Sequence, residues 1–122
     1  MNNLEIKARL LELPEMIGEV KKTLFEKKIE SIDIKEQLKI WELQEMANIS
    51  NEVNEKGKPA YSNETKRQAE LQRRKENSKE YQDLQNKLNK LDEEIAFMEI
   101  DLDKLYNEQG NLRAICRLEG RD

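Results

Sequence analysis

The sequence predicts an all-α fold: a long antiparallel coiled-coil helical hairpin with a short N-terminal helix, dimerising into a helical bundle. Three observations point there. The first is a heptad pattern from Tyr81 to Cys116. Tyr81, Leu88, Ile95, Leu102, Gln109 and Cys116 fall at a, and Leu84, Leu91, Met98, Leu105 and Leu112 at d. Only Gln109 is polar, and a seam held this long must be covered by another helix. The second is composition: 39% charged, 36% hydrophobic and 5% aromatic residues. That is too few apolar groups for a compact globule of this length and suits helices sharing a narrow seam. The third is one turn-rich stretch near the middle, Asn54 to Asn63, between two helical regions.

The elements follow in order within one domain, 1–122. Asn2 caps a short helix, 1–13, with Glu5 as its capping-box partner. Pro14 removes a backbone donor and disfavours helix before it, so a break is expected there. The first long arm is 14–55. Ile17, Val20, Leu24, Ile34, Leu38 and Trp41 keep a heptad series in which Lys27 and Ser31 are misfits. Asp33 and Glu36 repeat the capping-box signal, which predicts a kink at Ser31 to Asp33. The loop, 56–63, holds Gly57, Pro59, Ser62 and Asn63, and a loop this short between helices makes an αα-hairpin. Ser62 or Asn63 caps a basic polar helix, 64–77, and Ser78 caps the heptad helix, 78–118. Gly110 weakens that helix and Gly120 ends it.

In a chain folded back at the loop, facing residues have numbers of near-constant sum. Ile17 with Leu102, Leu24 with Ile95, and Leu38 with Tyr81 give 119; Leu13 with Leu105, Val20 with Met98, and Ile34 with Leu84 give 118. Lys21, Lys22, Lys27 and Lys28 then face Asp92, Glu93, Glu94, Glu99 and Asp101, which favours this orientation. Phe25, Ile29, Ile32, Phe97 and Ile100 lie off the shared seam, which marks them as an oligomer surface, with a homodimer as the expected assembly.

The chain has no histidine and one cysteine, Cys116, at an a position where a buried thiol is expected. The usual zinc sites are therefore excluded, and there is no Gly-rich phosphate loop. The carboxylates lie on charged helix faces, and no enzymatic activity, cofactor or small-molecule substrate is expected. No apolar run spans a bilayer, no secretory h-region opens the chain, and a cytoplasmic location is expected.

Charge is unevenly placed. Between Lys56 and Lys79, eight positive residues stand against three negative ones, in a chain of net charge −4. Lys56, Lys58, Tyr61, Lys66, Arg67, Arg73, Arg74 and Lys75 are candidates for contact with nucleic acid or a partner protein. Charge runs more often belong to a solvated loop and polar helix, and one aromatic, Tyr61, is a poor stacking platform.

The stretch NEKGKPAYSNETKRQAELQRR, the leucine seam, and LYNEQGNLRAICRL near the C-terminus resemble small helical coiled-coil proteins encoded by bacteriophages and prophages of Gram-positive bacteria. The resemblance covers most of the chain. It implies a phage origin and a host-cytoplasm setting, and it brings no activity and no residue roles. Three functions are consistent with these readings. The first is a non-enzymatic phage accessory protein contacting DNA, or a DNA-bound protein, through a basic hairpin tip. The second is an anti-CRISPR-like inhibitor of a host or defence protein. The third is a coiled-coil scaffold or assembly protein.

Overall fold

The computed structural model describes residues 1–120 of the 122-residue chain. The described residues form three helices: α1 (Asn3–Asn51), α2 (Glu64–Asn77) and α3 (Lys79–Glu119). Contacts cluster into two compact units. The first joins Met1–Ile29 with Asp92–Asp122, and the second is Glu30–Leu91.

In the first unit, Ile6, Leu13, Ile17 and Leu112 form a buried cluster, with Leu10, Leu102, Leu105 and Cys116 packed against it. These side chains recur every three or four residues on each segment, so each segment buries one stripe. Arg9 pairs with Glu108 and Lys27 with Glu94, so the two segments run in opposite directions here. Cys116 is half-buried at the edge of this cluster.

The break expected at Pro14 does not occur: α1 continues through it. An interior proline costs about 3 kcal/mol or more. Leu13 is completely buried and Ile17 nearly so, and their packing on either side of Pro14 holds the helix against that cost. The expected 1–13 and 14–55 helices are therefore one element.

The second unit has its own cluster, Ile34, Leu38, Tyr81, Leu88 and Leu91, flanked by Trp41 and Leu84. The Trp41 and Tyr81 rings lie 4.8 Å apart, tilted by 46°. α1 also runs without interruption through Ser31 to Asp33, where a kink was expected. Ser31 is buried within the helix, and Asp33 accepts a hydrogen bond from Gln37 one turn on instead of capping.

The expected facing pairs Leu13 with Leu105 and Ile17 with Leu102 fall in the first cluster. Ile34 with Leu84 and Leu38 with Tyr81 fall in the second.

α1 ends at Asn51, four residues before the expected 55, because the loop folds on itself. The Asn54 N–H donates to the Lys58 carbonyl (2.7 Å), and the Gly57 N–H to the Asn54 carbonyl (2.9 Å). Val53 and Pro59 form an isolated bridge, and the Asn54 side chain accepts from the Lys56 and Lys58 amides. This is a type I turn closed by a left-handed residue, and Gly57 supplies the required positive φ of 74°. Asn63 then caps α2 by accepting from the Lys66 amide (2.9 Å), and Ser78 caps α3 by accepting from the Tyr81 amide (3.1 Å). At the far end the Gly120 N–H donates to the Cys116 carbonyl.

Candidate functional site

Every residue of the sequence-predicted basic surface lies in the second unit. The loop and the first turns of α2 carry Lys56, Lys58, Tyr61, Lys66 and Arg67; the last turns of α2 carry Arg73, Arg74 and Lys75. α2 lies beside the last turns of α1. Lys39, Glu42, Leu43 and Met46 of α1 and Gln68, Leu71 and Lys75 of α2 line one groove. Leu71 is buried, which fixes the face α2 turns inward.

That docking brings carboxylates to the basic side chains. Arg74 reaches three: Glu45 at 3.2 Å, Glu52 at 2.6 Å and Glu70 at 3.1 Å. Lys75 pairs with Glu42 at 2.9 Å, and its ammonium stands 5.4 Å from the centre of the Tyr81 ring. The Tyr81 hydroxyl donates to the same Glu42. Arg73 grips both oxygens of Glu70 through its Nε, at 3.0 Å each, and also through Nη2. Arg67 pairs with Glu64 at 3.1 Å and donates to the Tyr61 carbonyl.

Glu70 is the centre of this network. Among the described residues it is the one buried charged side chain, only 8% exposed. Hydrogen bonds from Arg73, joined by Arg74 and opposed by burial, hold its carboxyl down at about 2. Burial is the strongest influence on Arg74 and opposes its charge, yet hydrogen bonds to Glu70, Glu45 and Glu52 leave it more basic than usual. Lys75 follows the same logic: burial lowers its basicity, and Glu42 more than restores it.

These partners limit what the surface can do. A guanidinium held by two or three carboxylates must release one of them before it can take a phosphate. Arg74 therefore serves first to tie α2 to α1, and Lys75 to tie α2 to α1 and to Tyr81 of α3, while Arg73 is held within α2 by Glu70. Lys56, Lys58 and Lys66 form no ion pair among the described residues and remain open to an anion. The window from Lys56 to Lys79 reads as strongly basic because it omits Glu42, Glu45 and Glu52, which join it only through the fold. Their one signal in the sequence is their regular placement on the last turns of α1.

The five apolar residues assigned to an oligomer surface are all exposed: Phe25, Ile29, Phe97 and Ile100 in the first unit and Ile32 in the second. Sequence reading missed Leu4, Leu11 and Leu43, which are equally bare, with Leu11 at 82%. Among the described residues no helix is long and apolar enough to cross a membrane, and no group of acidic or thiol side chains is placed to hold a metal ion.

Comparison with protein-family models, curated proteins and solved structures returns no match to this chain.

Proposed function

We propose that this chain is a non-enzymatic protein-interaction module: an antiparallel coiled-coil helical hairpin that works by associating through apolar side chains on its outer faces, first with a second copy of itself. The coiled-coil reading is supported by ion pairs on both flanks of the apolar stripe. Arg9 with Glu108 and Glu30 with Lys87 join g positions, and Lys28 with Glu99 joins e positions. Antiparallel coils pair e with e and g with g.

The observation that carries the functional reading is the contrast between the two candidate surfaces. The arginines of the basic surface are engaged by carboxylates within the chain. The apolar groups Phe25, Ile29, Phe97 and Ile100 stand half or more exposed. Apolar side chains at this density outside a core mark a binding surface. A scaffold, or an inhibitor of a host or defence protein in a phage setting, uses the same surface. Both act by protein–protein binding.

A second reading is DNA contact through the loop, favoured by Lys56, Lys58 and Lys66. Fluorescence anisotropy of labelled single- and double-stranded DNA, at about 50 and 200 mM salt, separates the two. The interaction-module reading predicts no binding that weakens steeply with salt. Tight, salt-sensitive binding that Lys56→Glu, Lys58→Glu and Lys66→Glu abolish together would move the function to the loop.

A further inference from the structure

α1 carries a second apolar stripe on its back. Leu4, Leu11 and Phe25 are spaced by multiples of seven, and Ala8 and Ile29 fill the alternate steps. All five are exposed, with Leu4 at 78%, Leu11 at 82% and Phe25 at 64%. Each lies two residues before a seam position such as Ile6, Leu13 or Ser31. That places the stripe about 160° around the helix from the buried seam. Nothing within this unit covers it.

The borders of the stripe are sorted by charge. One side carries Lys7, Lys21 and Lys28, and the other carries Glu5, Glu12, Glu19 and Glu26. All seven are exposed. In an antiparallel pairing of two such stripes, like rows face each other, lysine against lysine and glutamate against glutamate. In a parallel, in-register pairing, each lysine faces the acid five residues further along the partner helix. Lys7 then meets the second copy's Glu12, and Lys21 meets its Glu26. Within the chain Lys28 is already paired with Glu99 and Glu12 with Arg9, and the Lys21 ammonium stands 5.2 Å from the centre of the Tyr106 ring, so a second copy shares these charges. Glu15, Gly18 and Lys22 interrupt the stripe and divide it into two apolar blocks, Leu4 to Leu11 and Phe25 to Ile29.

We infer that the occupant of this face is the same face of a second copy, with the two α1 helices parallel and in register. This rests on the homodimer proposed above and adds its address and its polarity. Charge complementarity along both flanks selects the parallel arrangement, against one Glu15 and one Lys22 like-charge contact on the axis, and the seven-residue spacing supplies the contact.

The test uses the full chain carrying Cys116→Ser, with Glu15→Cys and Lys22→Cys introduced separately. Both positions fall on the axis of a parallel pair, so each variant is expected to form an interchain disulfide under mild oxidation. In an antiparallel pair at most one position can face its own copy. In parallel, Lys7→Glu with Lys21→Glu, and Glu12→Lys with Glu26→Lys, are each expected to weaken self-association about tenfold or more, while an equimolar mixture recovers it. A dimer in which only one cysteine crosslinks, or in which the mixture gains nothing, overturns the parallel arrangement and leaves the homodimer standing. A chain that sediments as a monomer overturns both. A monomer that co-sediments with anionic phosphatidylserine vesicles gives the stripe to a lipid surface instead, and likewise overturns the inference.

Discussion

In the second unit, α2 lies along the last turns of α1 and ties itself there through Leu71, Arg74 and Lys75. The first unit has two helical segments and no third element, and most of the large exposed apolar side chains belong to it. Two helices bury one stripe each, so any apolar residue beyond that stripe is left bare. A third helix can cover such residues and can also bring in charges that neutralise its own. The second unit engages Arg67, Arg73, Arg74 and Lys75 internally, whereas the first leaves apolar surface bare, and the functional proposal follows from that difference.

The sharpest break of this comparison is in the cores. Leu13 in the first unit and Ile49 in the second are both fully buried. Leu13→Ala and Ile49→Ala are each expected to cost about 2–5 kcal/mol in denaturant unfolding. Leu4→Ala, at an exposed position, should leave the stability of the monomer within about 0.5 kcal/mol. A comparable loss from Leu4→Ala in the dissociated chain would mean that the outer stripe is structural.

A second test concerns the ion network. The folded-state pKa of Glu70 is depressed, so its contribution is fully present above the ordinary carboxylate value. It is lost as pH falls from that value toward about 2. Wild type should therefore lose stability across that acid window, and Glu70→Gln should lose less of it while being weaker at neutral pH. Parallel acid titrations of the two proteins would contradict the assigned role of Glu70.

The smallest expected effects are at glycines. A Cβ at Gly110 meets nothing, and the residue is inside α3, so Gly110→Ala should stabilise the chain by about 1 kcal/mol. Gly57 also has open space around it, but its φ is +74°. Gly57→Ala should therefore destabilise by about 1 kcal/mol, and thermal unfolding of the pair checks the opposite signs.

The seam was legible in the sequence because periodicity is local: Tyr81, Leu88 and Leu91 announce their buried face by spacing alone. The Ser78 cap was legible for the same reason, and the α2 cap was narrowed to Ser62 or Asn63, since each cap bonds an amide three residues away. Pro14 misled because its penalty is local while the packing of Leu13 and Ile17 that overrides it is tertiary. The Arg74 network was hidden because Glu45 and Glu52 lie 29 and 22 residues away in sequence. The outer stripe went partly unseen because α1 carries two interleaved heptads, and the buried one dominates a reading by hydropathy.

The most direct measurement is sedimentation equilibrium of the wild-type chain beside Leu11→Ser with Phe25→Ser, with helix content followed by circular dichroism. Association through the outer face of α1 predicts a two-chain mass for wild type and a shift to one chain in the variant, at unchanged helicity. A wild-type monomer, or a variant that dimerises as well as wild type, would contradict it.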